Sequence, residues 1–239
     1  LGSVPRSVSD PVTTHAHNAT GTLNIFHAAQ KLGVKRVVYA SSSSTYGDEG
    51  TLPKIETRIG APLSPYAVTK RISEMYSTVF STLHGMEVIG MRYFNIFGPR
   101  QDPEGMYAAV IPKFTSLILN GEKPEIHGDG EQSRDFTHIS NAVSANLKAL
   151  FSTNQEAFGR VFNIACGYRI SINKLYELIH SIISKDHPGI PSIEPTYVES
   201  RPGDVKHSLA DIKLAKKLLD YSPEMGVEEG LISTVRSFY

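Results

Sequence analysis

Two short apolar runs, separated by one long helical stretch, constrain this chain most. Val34-Lys-Arg-Val-Val-Tyr-Ala40 is β-branched and apolar, as strands covered on both faces are. Met86 to Tyr93 is a second such run. Between them Ser64-Pro65 opens a helix reaching about His84, with Pro65 in its first turn, where a missing N–H costs nothing. Strand, helix, strand at this spacing is the βαβ rhythm of a doubly wound α/β sheet. Upstream, Thr14 to Leu32 predicts a helix stopped by Gly33.

The second half is less regular. Tyr107 to Asn120 predicts a helix kinked or begun at Pro112. Glu125–His127 and Phe136–His138 predict short strands around the turn Gly128-Asp-Gly130, followed by a helix from about Ser140 to Phe151. Val161 to Ala165 predicts a strand, and Ser171 to Lys185 a helix with a serine cap. Helices near Ala210–Leu219 and Val227–Phe238 finish the chain.

Composition excludes several classes. With 24 basic and 24 acidic residues the 239-residue chain carries no net charge, which argues against nucleic acid as its partner. A small anion needs only a few placed arginines. No apolar run approaches the roughly 20 residues of a membrane helix. One cysteine, Cys166, excludes a disulfide framework and points to a reducing compartment, the cytoplasm. Nine histidines are scattered without metal-ligand spacing, so no metal is expected.

Three features stand together. Ser41 to Ser44 follow the carboxyl end of a predicted strand, Tyr66 and Lys70 lie four apart in the next helix, and Asn95 follows the strand after that. Open α/β sheets bind ligands beyond the carboxyl ends of their strands. Residues four apart share a helix face, so an ammonium beside a phenol should lower the phenol's pKa from about 10. Such a phenol can take a proton from a sugar hydroxyl while hydride leaves the same carbon. Taken singly, Tyr-x-x-x-Lys is also what a solvated helix face produces, and a serine run is most often a loop. Their joint placement is far more specific.

Ala40-Ser-Ser-Ser-Ser-Thr-Tyr-Gly47, Ser64-Pro-Tyr-Ala-Val-Thr-Lys70 and Arg92-Tyr-Phe-Asn-Ile-Phe-Gly98 resemble the extended short-chain dehydrogenase/reductase family over essentially the whole chain. Leu52-Pro-Lys54, Arg100-Gln-Asp-Pro103 and Tyr107-Ala-Ala-Val-Ile-Pro-Lys113 resemble its UDP-N-acetylglucosamine 4-epimerases of bacterial and archaeal polysaccharide pathways. The resemblance implies the C-terminal part of a Rossmann-like sheet over residues 1–100. It implies a small α/β nucleotide-sugar region over 101–239, with 139–166 returning to the sheet. It implies Tyr66 as general base and acid, Ser42 as the catalytic serine, and Lys70 as the holder of the nicotinamide ribose of NAD. Leu1, Ser41 and Tyr93 fall at cofactor positions. Ser3, Ser43 and Ser44 fall around the sugar. Asn95, Arg134 and Arg201 fall at the diphosphate, Asp204 at a ribose, and Ala109, Val110 and Ser208 at the pocket wall. The small Ala109 and Ser208 leave room for an N-acetyl group. The implied reaction is reversible oxidation at C4 of a UDP-N-acetylhexosamine, with inversion. The implied assembly is a homodimer through Thr14–Leu32 and Ser64–His84.

The chain departs from the family in one respect. The glycine-rich phosphate loop after a first strand is absent, as is the acidic residue for the adenosine ribose. Leu1 opens directly into Gly2-Ser3-Val4-Pro5, which reads as the interior of a longer chain. The expectations are therefore an N-terminal part that is lacking, a Val34–Ala40 strand left as an uncovered edge, poor NAD binding, little turnover and aggregation. Two alternatives stay open. One is another nucleotide-sugar enzyme, such as a UDP-glucose or UDP-glucuronate epimerase or decarboxylase. The other is a non-catalytic sugar-nucleotide-binding remnant. A 4,6-dehydratase is disfavoured, because Ser43-Ser44 stand where those enzymes carry an Asp-Glu pair.

Overall fold

The computed structural model describes residues 1–104, 109–200 and 205–239. Its centre is a parallel three-stranded sheet of β1 (Arg36–Ser42), β2 (Glu87–Tyr93) and β7 (Val161–Ile164), in the order β1-β2-β7. The register sets Ser42 beside Tyr93 and Tyr93 beside Ile164, so all three strands end at one edge. Two-stranded pairs lie beyond it: β3 (Ile96–Phe97) with β6 (Thr137–His138), β4 (Glu125–His127) with β9 (Thr196–Val198), and β5 (Ser133–Arg134) with β8 (Ile170–Ser171). The α/β parallel architecture predicted from the sequence is the observed one.

Helices cover both faces of the sheet. Period-two alternation sends Val37, Tyr39 and Val88 toward α3 (Gly21–Lys31) and α4 (Pro65–His84), where Phe26 and Phe80 complete a core. Val38, Ile89, Met91 and Phe162 face the other way, into a core shared with α6 (Ile139–Phe151) and α8 (Lys213–Leu219). Each fully buried side chain of this kind contributes about 1.5–3 kcal/mol. A third core joins α5 (Val110–Leu119), α7 (Ile172–Asp186) and α9 (Val227–Arg236) through Phe114, Ile118, Leu175, Ile179 and Leu231. Gly90 opposes Tyr39 in the register, and a Cβ there would lie 2.6 Å from the Tyr39 hydroxyl. Glycine thus lets the Tyr39 ring cross the sheet and donate to Ser77 at 3.0 Å.

Several expectations need correction. The single helix expected from Thr14 is α2 (Pro11–His15), a π turn at Ala16–Thr20, then α3. An unforeseen helix, α1 (Val4–Ser9), precedes it. Pro112 lies in the first turn of α5 rather than at a kink, since the helix starts at Val110 and a proline there loses no bond. β1 has β2 as its one strand partner among the described residues, so its outer edge is open. Its apolar faces are not bare, because Val37 and Tyr39 pack on α3 and Val38 on the opposite core.

Candidate active site

The site is assembled where β1 and β2 end. Ser42, the last residue of β1, caps a 3₁₀ turn at Ser43–Tyr46, accepting from the Ser44 amide at 3.1 Å and the Ser44 hydroxyl at 3.0 Å. Gly47 ends the turn at φ 57°, where a Cβ would lie 1.9 Å from the Ala61 carbonyl oxygen. Ser64 caps α4 by accepting from Ala67 at 3.1 Å, with Pro65 next, and so places Tyr66 in the first turn. Ser42 stands close enough to the Tyr66 phenol to favour its ionised form. One turn on, Lys70 Nζ donates to the Ala40 carbonyl at 2.8 Å and sits 5.8 Å from the centre of the Tyr66 ring. Ser42, Tyr66 and Lys70 therefore do converge.

The electrostatics differ from the expectation. Burial pushes the Tyr66 phenol above its ordinary value, and the neighbouring Ser42 hydroxyl pulls against it. The same desolvation lowers the Lys70 amine. The lowering expected from Lys70 does not prevail over burial.

The remaining candidates divide. Asn95, at φ 36°, donates to the Asp135 carbonyl at 3.0 Å, and with Val110 and Arg134 it lines a cavity of about 200 Å³. Arg134 donates to the carbonyls of Ser133 and Lys206 at 3.0 and 3.2 Å. Ser208 is held beside it through its amide to Ser133 O at 2.9 Å, and Ala109 precedes α5 on the exposed surface. Tyr93 accepts from Asn146 at 2.6 Å. Asn18 of the π turn donates to Leu1 O at 2.9 Å and to Thr69 at 3.2 Å, which draws Leu1 toward α4. Ser3 serves as the cap of α1, accepting from Arg6 at 3.1 Å. Ser43 and Ser44 are half-buried in the turn. The Ser41 side chain is buried and donates to Glu74 at 2.6 Å, because it points to the α4 face of β1. Arg201 and Asp204 lie outside the described residues.

Sequence reasoning passed over two buried acids. Glu74 pairs with Arg92 beneath the site. Asp135 is fully buried and accepts from the amides of Cys166 and Gly167 at 3.0 Å each and of Ala210 at 3.3 Å. Burial raises its carboxyl to about 6 against those bonds. The sequence-level signal was their placement, Glu74 at Lys70+4 and Asp135 directly after Arg134. Among the described residues no group of His, Cys, Asp and Glu could hold a metal ion, and no helix is long and apolar enough to cross a membrane.

The chain as a whole is similar to several known proteins. The structure of UDP-N-acetylglucosamine 4-epimerase from Methanobrevibacter ruminantium M1, in complex with UDP-N-acetylmuramic acid, superposes with a TM-score of 0.92 at 41% identity, covering 100% of this chain and 74% of that one. UDP-glucose 4-epimerase from Thermotoga maritima with UDP-glucose gives 0.90 at 37% identity, covering 99% and 74%. UDP-glucuronate 4-epimerase of Thermodesulfobacterium geofontis is 34% identical over 97% of this chain and 68% of its own length. The model of the NAD dependent epimerase/dehydratase family matches residues 1–165, the segment that carries Ser42, Tyr66, Lys70, Asn95 and Arg134, and the chain belongs to that family.

Proposed function

We propose that this chain carries the catalytic and sugar-binding residues of an NAD-dependent UDP-N-acetylhexosamine 4-epimerase. The observation that supports this most is the convergence at the end of β1, where Lys70 donates to the Ala40 carbonyl at 2.8 Å and lies 5.8 Å from the centre of the Tyr66 ring, with Ser42 two residues further along the strand. NAD, when bound, supplies a reversible acceptor for the hydride of the sugar's C4. The residues fit one end of it. Lys70 keeps donors beyond the one given to Ala40, as a ribose diol requires, and Tyr93 stands beside Ser42 in the register. Among the described residues no glycine cluster opens a helix after a strand, so the cofactor's pyrophosphate has no cradle among them.

In this reading Ser42 holds the 4-hydroxyl and passes its proton to Tyr66 as C4 is oxidised. Asn95 and Arg134, with Arg201 and Asp204, hold the nucleoside diphosphate while the 4-keto sugar turns. Tyr66 then returns the proton as C4 is reduced on its other face, so atoms and electrons balance without net redox change. Ala109 and Ser208, which the resemblance to the family assigns to the pocket wall, are small and would leave room for an N-acetyl group, and the Methanobrevibacter neighbour acts on an acetylated sugar by its name. UDP-glucose and UDP-glucuronate remain the competing substrates. The neutral charge and lone cysteine suit a cytoplasmic enzyme.

The test uses the product of the complete reading frame containing this sequence. C4 inversion of UDP-GlcNAc, UDP-glucose and UDP-glucuronate is followed by NMR with NAD supplied. Inversion of UDP-GlcNAc is expected to be fastest. Tyr66→Phe should lower kcat by about 10²–10⁴-fold and leave UDP binding intact. Absence of inversion with all three sugars, or full turnover by Tyr66→Phe, overturns the reading.

A further inference from the structure

Tyr66, Lys70 and Glu74 recur every four residues along α4 and so form a row on one helix face. The first two are the side chains the proposed reaction uses. The third enters the protein interior. Glu74 and Arg92 are only 3% and 2% exposed and are joined by two bonds, Nε to Oε1 and Nη2 to Oε2, both 2.8 Å. Ser41 adds a donor to Oε1 at 2.6 Å and Arg71 one to Oε2 at 3.0 Å. With four donors on it the carboxylate stays below the usual range despite burial. Arg92 also reaches away from α4. Its guanidinium lies 4.8 Å from the centre of the Tyr46 ring, and Nη1 donates to the Glu56 carbonyl at 3.1 Å. Tyr46 closes the turn that Ser42 caps and is itself fixed by donating to Asn163 at 2.6 Å.

We infer that Arg92 is a positioning residue: gripping Glu74 on one side and Tyr46 on the other, it sets the separation between the helix carrying Tyr66 and Lys70 and the turn carrying Ser42. The inference rests on the proposed reaction for its kinetic consequence. Stability alone does not account for the pair, since replacing a buried ion pair by apolar side chains is often neutral or stabilising. A planar guanidinium presents two edges at once, which a lysine or an apolar side chain cannot. The same contact engages the Ser41 hydroxyl, which holds Glu74.

The test compares wild type, the double variant Arg92→Met/Glu74→Met, and Arg92→Lys, in the product of the complete reading frame. Melting temperature, kcat and KM are measured for each. The Tyr66 phenol is titrated by ultraviolet difference against the same protein carrying Tyr66→Phe. In the double variant the melting temperature and KM should stay near wild type. Its kcat should fall about 10²-fold, the usual consequence of misplacement by an ångström, and the Tyr66 titration should move toward that of a free phenol. A double variant with wild-type kcat overturns the inference, as does a kcat loss matched by an equal loss of substrate affinity. If the double variant does not fold, Arg92→Lys decides: a loss of about tenfold in kcat at unchanged KM supports the inference, and full kcat overturns it. If wild type inverts no sugar, the proposed reaction fails. The Tyr66 titration then still decides, a shift in the folded variant supporting the positioning role and an unmoved phenol overturning it.

Discussion

Replacing Gly47 by alanine puts the geometry of the site under a calculable load. The residue adopts φ 57°, a conformation that costs an L-residue about 1 kcal/mol or more. The added Cβ would meet the Ala61 oxygen at 1.9 Å, where ordinary contact begins at 3.4 Å, so the two segments must part by 1.5 Å. That opening breaks the bond from the Asp48 amide to Ala61 O, now 3.1 Å, and strains the one from the Ala61 amide to the Asp48 carboxylate, now 2.7 Å. Overpacking of about 1–3 kcal/mol and about 1 kcal/mol per lost bond bring the total to roughly 3–5 kcal/mol. For a chain of this size that is a melting temperature lower by about 10 °C. Ala61 lies five residues before Tyr66, so the movement also separates the Ser42 turn from the start of α4. A kcat lower by about 10²-fold is expected, with UDP binding kept, because Asn95 and Arg134 lie on other segments. Gly50→Ala, whose Cβ would meet nothing within 4 Å, is the control. Calorimetry and NMR-followed turnover on both variants decide. Gly47→Ala matching Gly50→Ala in both would refute the steric reasoning.

Other perturbations have definite signs. Ser64→Ala removes the cap of α4 and should cost about 1 kcal/mol in denaturant unfolding, with a loss of kcat because Tyr66 sits in the first turn. Asp135 has a carboxyl raised by burial from 3.8 to about 6, so the stability tied to its protonation is fully present below about pH 4 and lost as pH rises through 6. The stability of wild type minus that of Asp135→Asn should therefore fall by about 3 kcal/mol between about pH 4 and 7, and a rising difference would contradict the burial argument. The outer face of α4 exposes Val68, Met75, Val79 and Leu83, and a groove of about 440 Å³ runs from Met75 to Leu23 of α3. If a second copy covers this face, sedimentation should give a dimer for wild type and a monomer for Met75→Glu.

How much of this was legible follows from which forces leave a local trace. β1, α4 and β2 were readable because apolar runs and Pro65 mark them out, and Ser171 announced the start of α7 by its capping chemistry. Ser42, Tyr66 and Lys70 were readable because strand ends and helix periodicity bring them to one place. The π turn was not, since an inserted residue leaves no compositional mark on an otherwise helical run. Nor was the direction of the Tyr66 shift, which depends on burial by segments distant in sequence. The side-chain partner of Ser41 was hidden for a related reason. Its neighbour Ser42 faces the ligand edge, and alternation along the strand turns Ser41 toward a carboxylate that a one-dimensional reading takes for solvated surface.

The π turn at Ala16–Thr20 reverses a familiar rule of helix editing. Losing one residue from an α-helix normally rotates every later side chain out of register. Here, removal of a residue between 16 and 20 would yield a smoother helix that is a worse protein. Phe26 would keep its seat in the core, because the wide turn takes up one extra residue, but the turn from which Asn18 reaches Thr69 and Leu1 would be lost. The irregular turn thus adds a polar contact to α4 without disturbing the register of α3.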